Sequence, residues 1–165
     1  MRMRFDFPDP EPATPRGGAP VGYLREMSAL EQAAILCLRG WCDSTAKGHI
    51  ANSFRLSMGP DAAEDAIADL DALMSTAVGA ARRPLMRHDL TCRCVGGDEC
   101  AFAQLMAAAA QQDREEATLF ACTLMRGPAA FEVVRLAGSF GPALMRMAHT
   151  PATGLSSPSP SAFKH

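Results

Sequence analysis

Three Gly-Pro steps, at Gly59-Pro60, Gly127-Pro128 and Gly141-Pro142, divide this chain into stretches that each carry apolar residues three and four apart. Proline cannot continue a helix interior but suits a first turn, so each step marks the end of one helix and the start of the next. Ser28 with Glu31 reads as a capping box, after which Met27, Leu30, Ala34, Cys37 and Trp41 share one stripe. A second helix is predicted over 46–58 through Ile50, Phe54 and Met58, stopped by Gly59-Pro60. A third is predicted from Asp61, capped with Glu64, and carries Ile67, Leu70, Leu73, Met74, Ala77 and Val78 toward a core. Its acidic residues lie toward its start and Arg82 and Arg83 at its end, as the helix dipole favours. Asp98 can cap a helix through Phe102, Leu105 and Met106, and Asp113 with Glu116 can cap another through Phe120 and Leu124. Phe131, Val134 and Ala137 then mark a helix after Pro128, and Leu144 and Met147 a last short one after Pro142.

Ala, Leu and Met are abundant and aromatic residues make up only 6%, which favours helix over strand. The expected fold is therefore all-α, a compact bundle of six or seven short helices with a Cys/His-rich loop and no sheet. Residues 1–22 hold five of the twelve prolines and residues 150–165 form a Pro/Ser run, so both read as disordered tails around a single helical domain at 23–149. The tripeptide Leu-Met-Arg begins at Leu85, Leu124 and Leu144, but its unequal spacing makes no repeat architecture.

The window from His88 to Cys100 holds one histidine and three cysteines, the donor types zinc prefers. Gly96 and Gly97 would let the backbone fold back and bring those donors together. In an extended segment Cys92 and Cys94 point to the same face and can reach one ion. Cys100, in the first turn of the Asp98 helix, would be the third sulfur, favoured as a thiolate by the helix dipole. His88 would close a tetrahedral shell with no position left for water or substrate, which argues for structural zinc rather than catalysis. Cys42, His49, Asp98 and Glu99 remain open as replacements for one of the four. The plain alternative is that the three thiols are ordinary turn residues and His88 a surface residue. Cys37 and Cys122 lie on apolar helix faces and read as core packing, as do the methionines.

Net charge is −2, so no global attraction to nucleic acid or to an anionic membrane is expected. The amino-terminal Met-Arg-Met-Arg-Phe-Asp-Phe-Pro breaks into proline and charge before an apolar run of signal-peptide length and nothing later approaches a membrane span, which predicts a cytosolic protein and makes metal ligation more natural than disulfides. Phosphate loops, Gly-x-Ser-x-Gly and His-Glu-x-x-His are absent, so an enzyme is not the leading expectation. What remains is a regulatory or protein-interaction module with a structural zinc. The alternative is a thiol-based redox sensor or enzyme using Cys92, Cys94 and Cys100, with Cys100 as nucleophile. Lys47, His49, Asn52 and Arg55 on the second helix also suggest a helix-turn-helix DNA reader, a reading the overall charge opposes. Arg82, Arg83, Arg87 and Arg93 form the one local basic strip, where an acidic partner or phosphate could meet the protein.

Over Glu31-Gln-Ala-Ala-Ile-Leu-Cys-Leu-Arg-Gly-Trp-Cys-Asp43, Arg82-Arg-Pro-Leu-Met-Arg-His88 and Cys92-Arg-Cys94-Val-Gly-Gly-Asp-Glu99, the chain resembles a small alphaproteobacterial family of helical proteins with a Cys-x-Cys loop. The resemblance spans most of the helical region and implies no activity. Cys94 to Phe102 is also similar to the cysteine-rich end of the vinyl-reductase-like small-molecule domain. That domain's mixed α/β body has no counterpart here, so its function is not carried over.

Overall fold

A computed structural model describes residues 16–150, and the remainder of the two predicted tails lies outside them. Six α-helices are present among the described residues: α1 (Ala29–Gly40), α2 (Ser44–Met58), α3 (Pro60–Ala80), α4 (Gly97–Ala110), α5 (Arg114–Leu124) and α6 (Gly127–His149). The local signals account for most of their starts. Ser28 Oγ accepts from the Glu31 amide while the Glu31 carboxylate accepts from the Ser28 amide, so the box at α1 closes in both directions. Asp43 caps α2 through the Ala46 amide at 2.7 Å, and Asp113 caps α5 through the Glu116 amide at 3.0 Å. The third helix differs from its sequence reading. It begins at Pro60 behind Gly59, whose φ of +85° suits glycine, and no side chain caps it.

Helix α4 is central, packing against α1, α5 and α6, and its buried residues run nearly all round it, from Phe102 through Leu105 and Met106 to Ala110. Around it the core gathers Phe54, Leu70, Leu73, Met74, Val133, Phe140 and Leu144, each fully or almost fully buried. Burying a side chain of this size contributes about 1.5–3 kcal/mol. Phe54 and Phe140 meet edge to face, with ring centroids 5.7 Å apart. Val78 and Phe131, expected inside, are instead 50% and 63% exposed, each at the margin of its helix's apolar stripe.

The break expected at Gly141-Pro142 does not occur, and α6 runs unbroken through Pro142 to His149. An interior proline forgoes a hydrogen bond and costs about 3 kcal/mol. Here Ala137, Phe140, Gly141 and Leu144 keep both halves of α6 on the same core, which offsets that cost. Gly141 also permits a close crossing, since a Cβ there would stand 2.9 Å from Ala110 Cα.

A small sheet is a further departure from expectation. Strand β1 (Pro20–Tyr23) pairs antiparallel with β2 (Cys94–Gly96), with Tyr23 opposite Cys94 and Gly22 opposite Val95. Residues 16–22, read from their composition as part of a disordered tail, therefore form a short 3₁₀ turn at Arg16–Gly18 and an edge strand. The Leu24 amide bonds the Arg93 carbonyl at 2.9 Å and the Gly97 amide bonds the Ala19 carbonyl at 3.2 Å, which extends the contact at both ends. Val95 is buried with Ile35 and Ala103 in a second, smaller core. Pairing of this kind joins residues some seventy positions apart, beyond the reach of local periodicity. No helix of the described residues is long and apolar enough to cross a membrane.

Candidate metal centre

The stretch between α3 and β2 carries no regular structure, so its shape must come from side chains that hold its backbone. At its start the Arg82 amide bonds the Leu124 carbonyl and the Arg126 amide bonds the Ala80 carbonyl, tying the exits of α3 and α5 together. Arg82 is used here as well, its Nε donating to the Met125 carbonyl at 2.9 Å. The stretch then crosses the N-terminal end of α4, where Asp98 and Glu99 stand side by side in the first turn. Asp98 takes both terminal nitrogens of Arg83, at 2.6 and 2.8 Å, and the Met86 amide at 2.8 Å. Glu99 takes the His88 amide at 2.9 Å and the Gly96 amide at 2.8 Å. The two carboxylates thus fix alternate amides of the loop while sitting at the positive end of the helix dipole.

Beneath the loop lies Arg39 of α1, whose side chain is fully buried and paired with the equally buried Glu99. Its Nε and Nη2 donate to the two Glu99 oxygens at 2.6 and 2.9 Å. Its remaining donors reach the carbonyls of Asp89 at 3.1 Å, Cys92 at 2.7 Å and Cys94 at 2.7 Å. All five N–H groups of the guanidinium are therefore occupied, and each Glu99 oxygen accepts twice. Sequence reading missed this pair. The available signal was a cation on the buried stripe of α1, one turn after Ile35.

Held in this way, the loop brings His88, Cys92 and Cys94 together, their donor atoms all within 4.8 Å of one another. This group could hold a metal ion. His88 Nδ1 lies 3.2 Å from Cys94 Sγ and 3.7 Å from Cys92 Sγ. Bond lengths of about 2.3 Å to sulfur and 2.0–2.1 Å to nitrogen give a tetrahedral N···S edge of about 3.6 Å, so the spacing suits one ion. On the other side of the ring, Nε2 is 2.8 Å from the Gly18 carbonyl. A histidine ligand commonly donates its second ring N–H to a carbonyl in this way, which turns Nδ1 toward the thiols, where it also lies 3.2 Å from the Cys94 carbonyl. Gly18, within the segment whose composition predicts a tail, thus orients the histidine.

Cys100, predicted as a ligand, does not join the group. It sits in α4 next to Glu99, and a helix turns about 100° per residue, so Glu99 faces Arg39 and Cys100 faces elsewhere. It packs against the Ile35, Val95 and Ala103 cluster. Burial, followed by the charge of Glu31, pushes its thiol up, away from the reactive thiolate expected of it. Asp98 and Glu99 are committed to arginines and amides, although a Glu99 oxygen approaches His88 Nδ1 at 3.9 Å. Cys42 is exposed in a neighbouring cleft with Arg39, Arg87, His88 and Asp89, and His49 lies in a separate apolar groove with Leu36, Leu90 and Met147. Gly96 and Gly97 do not reverse the chain, because Gly96 ends β2 and Gly97 begins α4. Cys37 is buried and its thiol is pushed up to about 12 by that burial, as suits a core residue. Lys47, a candidate DNA contact, is paired with Asp71 at 2.5 Å and lies over the Trp41 ring.

The electrostatics of the cluster are polarised. The Gly18 carbonyl, followed by the Cys94 carbonyl and the charges of Glu99 and Cys92, raises the pKa of His88 against the opposing effect of burial. Cys92 is lowered, chiefly by hydrogen bonds from the Cys94 thiol and amide, and Cys94 is raised as the donor to it. Among the described residues no fourth His, Cys, Asp or Glu completes the group with all three donors, and they open on a cleft of about 450 Å³ that also takes in Gly18, Pro20, Arg87 and Asp89. Comparison with models of known protein families, with curated proteins and with solved structures finds no match.

Proposed function

We propose that this chain is a zinc-binding helical module with a regulatory or protein-interaction role, its ion held by His88 Nδ1, Cys92 and Cys94 at the surface of a preformed loop. The observation that carries the reading is the arrangement of the His88 ring. One nitrogen faces both thiols at 3.2 and 3.7 Å, and the other is anchored on the Gly18 carbonyl at 2.8 Å. The mixed His and Cys donor set favours zinc over the oxygen-seeking cations. Bound zinc would lock loop, edge strand and α4 into one surface. The three-donor set replaces the closed four-donor shell read from the sequence and leaves a position toward the cleft.

Elemental mass spectrometry on anaerobically purified full-length protein, wild type beside Cys92→Ser/Cys94→Ser, tests this reading. About one zinc per chain in the wild type and none in the folded double variant are expected. Metal-free, folded wild type that takes up no zinc on titration would overturn it.

The polarised cluster favours a second reading, a thiol-based sensor built on the same residues. Without metal, the Gly18 and Cys94 carbonyls favour the protonated form of His88, and hydrogen bonds from Cys94 favour the thiolate form of Cys92. Alkylation of Cys92 that is fast at neutral pH and slowed by His88→Asn supports it; a rate like that of a free thiol removes it.

A further inference from the structure

We infer that the position left open by His88, Cys92 and Cys94 takes a singly charged carboxylate, recognised jointly by the bound ion and by Arg87. This inference rests on the zinc reading and names the ligand of that site. Arg87 lines the same cleft as the three donors and also the adjoining cleft formed by Cys42, Asp43 and Leu90. Its guanidinium is fixed by one hydrogen bond, from Nη1 to the Arg39 carbonyl at 2.7 Å. Among the described residues it forms no ion pair, whereas Arg39 and Arg83 are both matched by carboxylates. Arg87 is thus a positioned cation with donors to spare, lining the same cleft as the three donor residues.

Charge limits the ligand, and donor geometry selects it. Zinc with two thiolates and a neutral imidazole is neutral, so the ion's immediate surroundings neither demand nor repel an anion. Arg87 adds one positive charge, and Asp89 on the same cleft adds one negative charge. A monoanion satisfies Arg87, while a doubly charged phosphate would meet Asp89 with a single guanidinium to hold it. A carboxylate fits the planar donor fork of arginine and is an ordinary oxygen donor to zinc. One of its oxygens takes the open position and the other meets Arg87. The cleft, at about 450 Å³, has room for a small molecule or for an acidic side chain.

Cobalt(II) replaces zinc in the test, because its visible bands report both thiolate ligation and any change of the fourth ligand. The full-length protein is loaded with cobalt and titrated with acetate, wild type beside Arg87→Gln. Expected are thiolate-to-cobalt bands in both proteins, a saturable acetate-dependent shift in the wild type, and a roughly tenfold weaker acetate affinity in the variant, the scale of one lost charge-assisted hydrogen bond. Missing thiolate bands would remove the zinc reading and this inference with it. Thiolate bands that ignore acetate would leave the zinc reading standing and overturn this inference alone. Equal acetate shifts in both proteins would overturn the role of Arg87. A parallel titration with acetyl-Gly-Glu-Gly-amide separates the sources: tighter binding than acetate assigns the carboxylate to a protein partner, and equal or weaker binding assigns it to a free small molecule.

Discussion

Arg39 and Glu99, sixty positions apart, meet as a buried two-point ion pair at 2.6 and 2.9 Å, and the loop carrying His88, Cys92 and Cys94 is built on that pair. From it, Arg39 reaches the carbonyls of Asp89, Cys92 and Cys94, while Glu99 receives the amides of His88 and Gly96. An ion pair fully removed from water is expensive unless every remaining donor and acceptor is satisfied. That condition is met here, since no buried side-chain nitrogen or oxygen among the described residues lacks a partner.

The two members should therefore be strongly coupled, each costly to remove while the other stays buried. Arg39→Met or Glu99→Gln is expected to destabilise the fold by about 3–5 kcal/mol, because each leaves a buried polar group unmatched. The double replacement Arg39→Met/Glu99→Met is expected to cost less than the sum of the single changes. Urea unfolding followed by circular dichroism measures this, and single-variant losses below about 1 kcal/mol would contradict the account of the pair.

The same pair predicts an acid limit. Burial works to raise the Glu99 pKa, but hydrogen bonds from Arg39 and from the Gly96 and His88 amides outweigh it and hold the carboxyl below its ordinary value. A carboxyl lowered in the native state contributes its stability in full above the unfolded pKa of about 4.3. That contribution is lost as pH falls through the native value. The urea-midpoint gap between wild type and Glu99→Gln should be wide at neutral pH and close progressively below about pH 4. A gap that stays constant from neutral pH into acid would show that the ionised pair is not what separates the two proteins.

Metal removal should leave the helices in place. Because Arg39, Glu99 and Asp98 already hold the loop backbone, the site does not depend on the ion for its shape. This differs from the expectation for a small zinc-nucleated domain, which unfolds on chelation. Far-ultraviolet circular dichroism is expected to be unchanged by chelator, while free zinc at a hundred times its dissociation constant adds about 2.7 kcal/mol of stability. Loss of helical signal on chelation would mean that the ion, rather than the ion pair, organises the loop.

Close packing of α4 on α6 makes a further demand. A Cβ at residue 141 would stand 2.9 Å from Ala110 Cα and 3.1 Å from its Cβ, where backbone cannot yield cheaply. Gly141→Ala is thus expected to destabilise by about 1–3 kcal/mol, despite the better helix propensity of alanine. Gly138→Ala, which meets nothing within 4 Å, serves as the control and should be neutral or stabilising. A Gly141 variant as stable as that control would refute the close crossing.

What the sequence disclosed and what it hid follow from the range of the interactions. The Ser28 and Asp113 caps join residues three apart, so their signatures are local and the helices they open were legible. The type of donor at His88, Cys92 and Cys94 was legible for the same reason. Four features were not: the pairing of Tyr23 with Cys94, the Gly18 carbonyl behind His88, the Arg39–Glu99 pair, and the continuity of α6 through Pro142. Each depends on elements distant in sequence or on a core that outweighs a local breaker. The selection of Cys100 illustrates a subtler limit. Its residue type and spacing suited a ligand, but only the phase of α4, set by a start at Gly97, decides that Glu99 rather than Cys100 faces the loop.

That phase can be read directly from the thiols. Cys100→Ser is expected to retain about one zinc per chain, since its thiol packs beside Ile35 and Val95 outside the donor cluster, and to lose only the modest stability of a half-buried thiol. Cys92→Ser and Cys94→Ser each remove one of three donors, and zinc affinity is expected to fall by at least the 10–100-fold that loss of a mere outer partner causes. Competition of each protein with a chromophoric chelator gives the affinities on one scale. If Cys100→Ser weakens zinc as much as Cys92→Ser does, the first turn of α4 must rotate in the loaded protein and the four-donor shell is restored. If it does not, Cys100 is no ligand and the ion is held by the three loop donors alone.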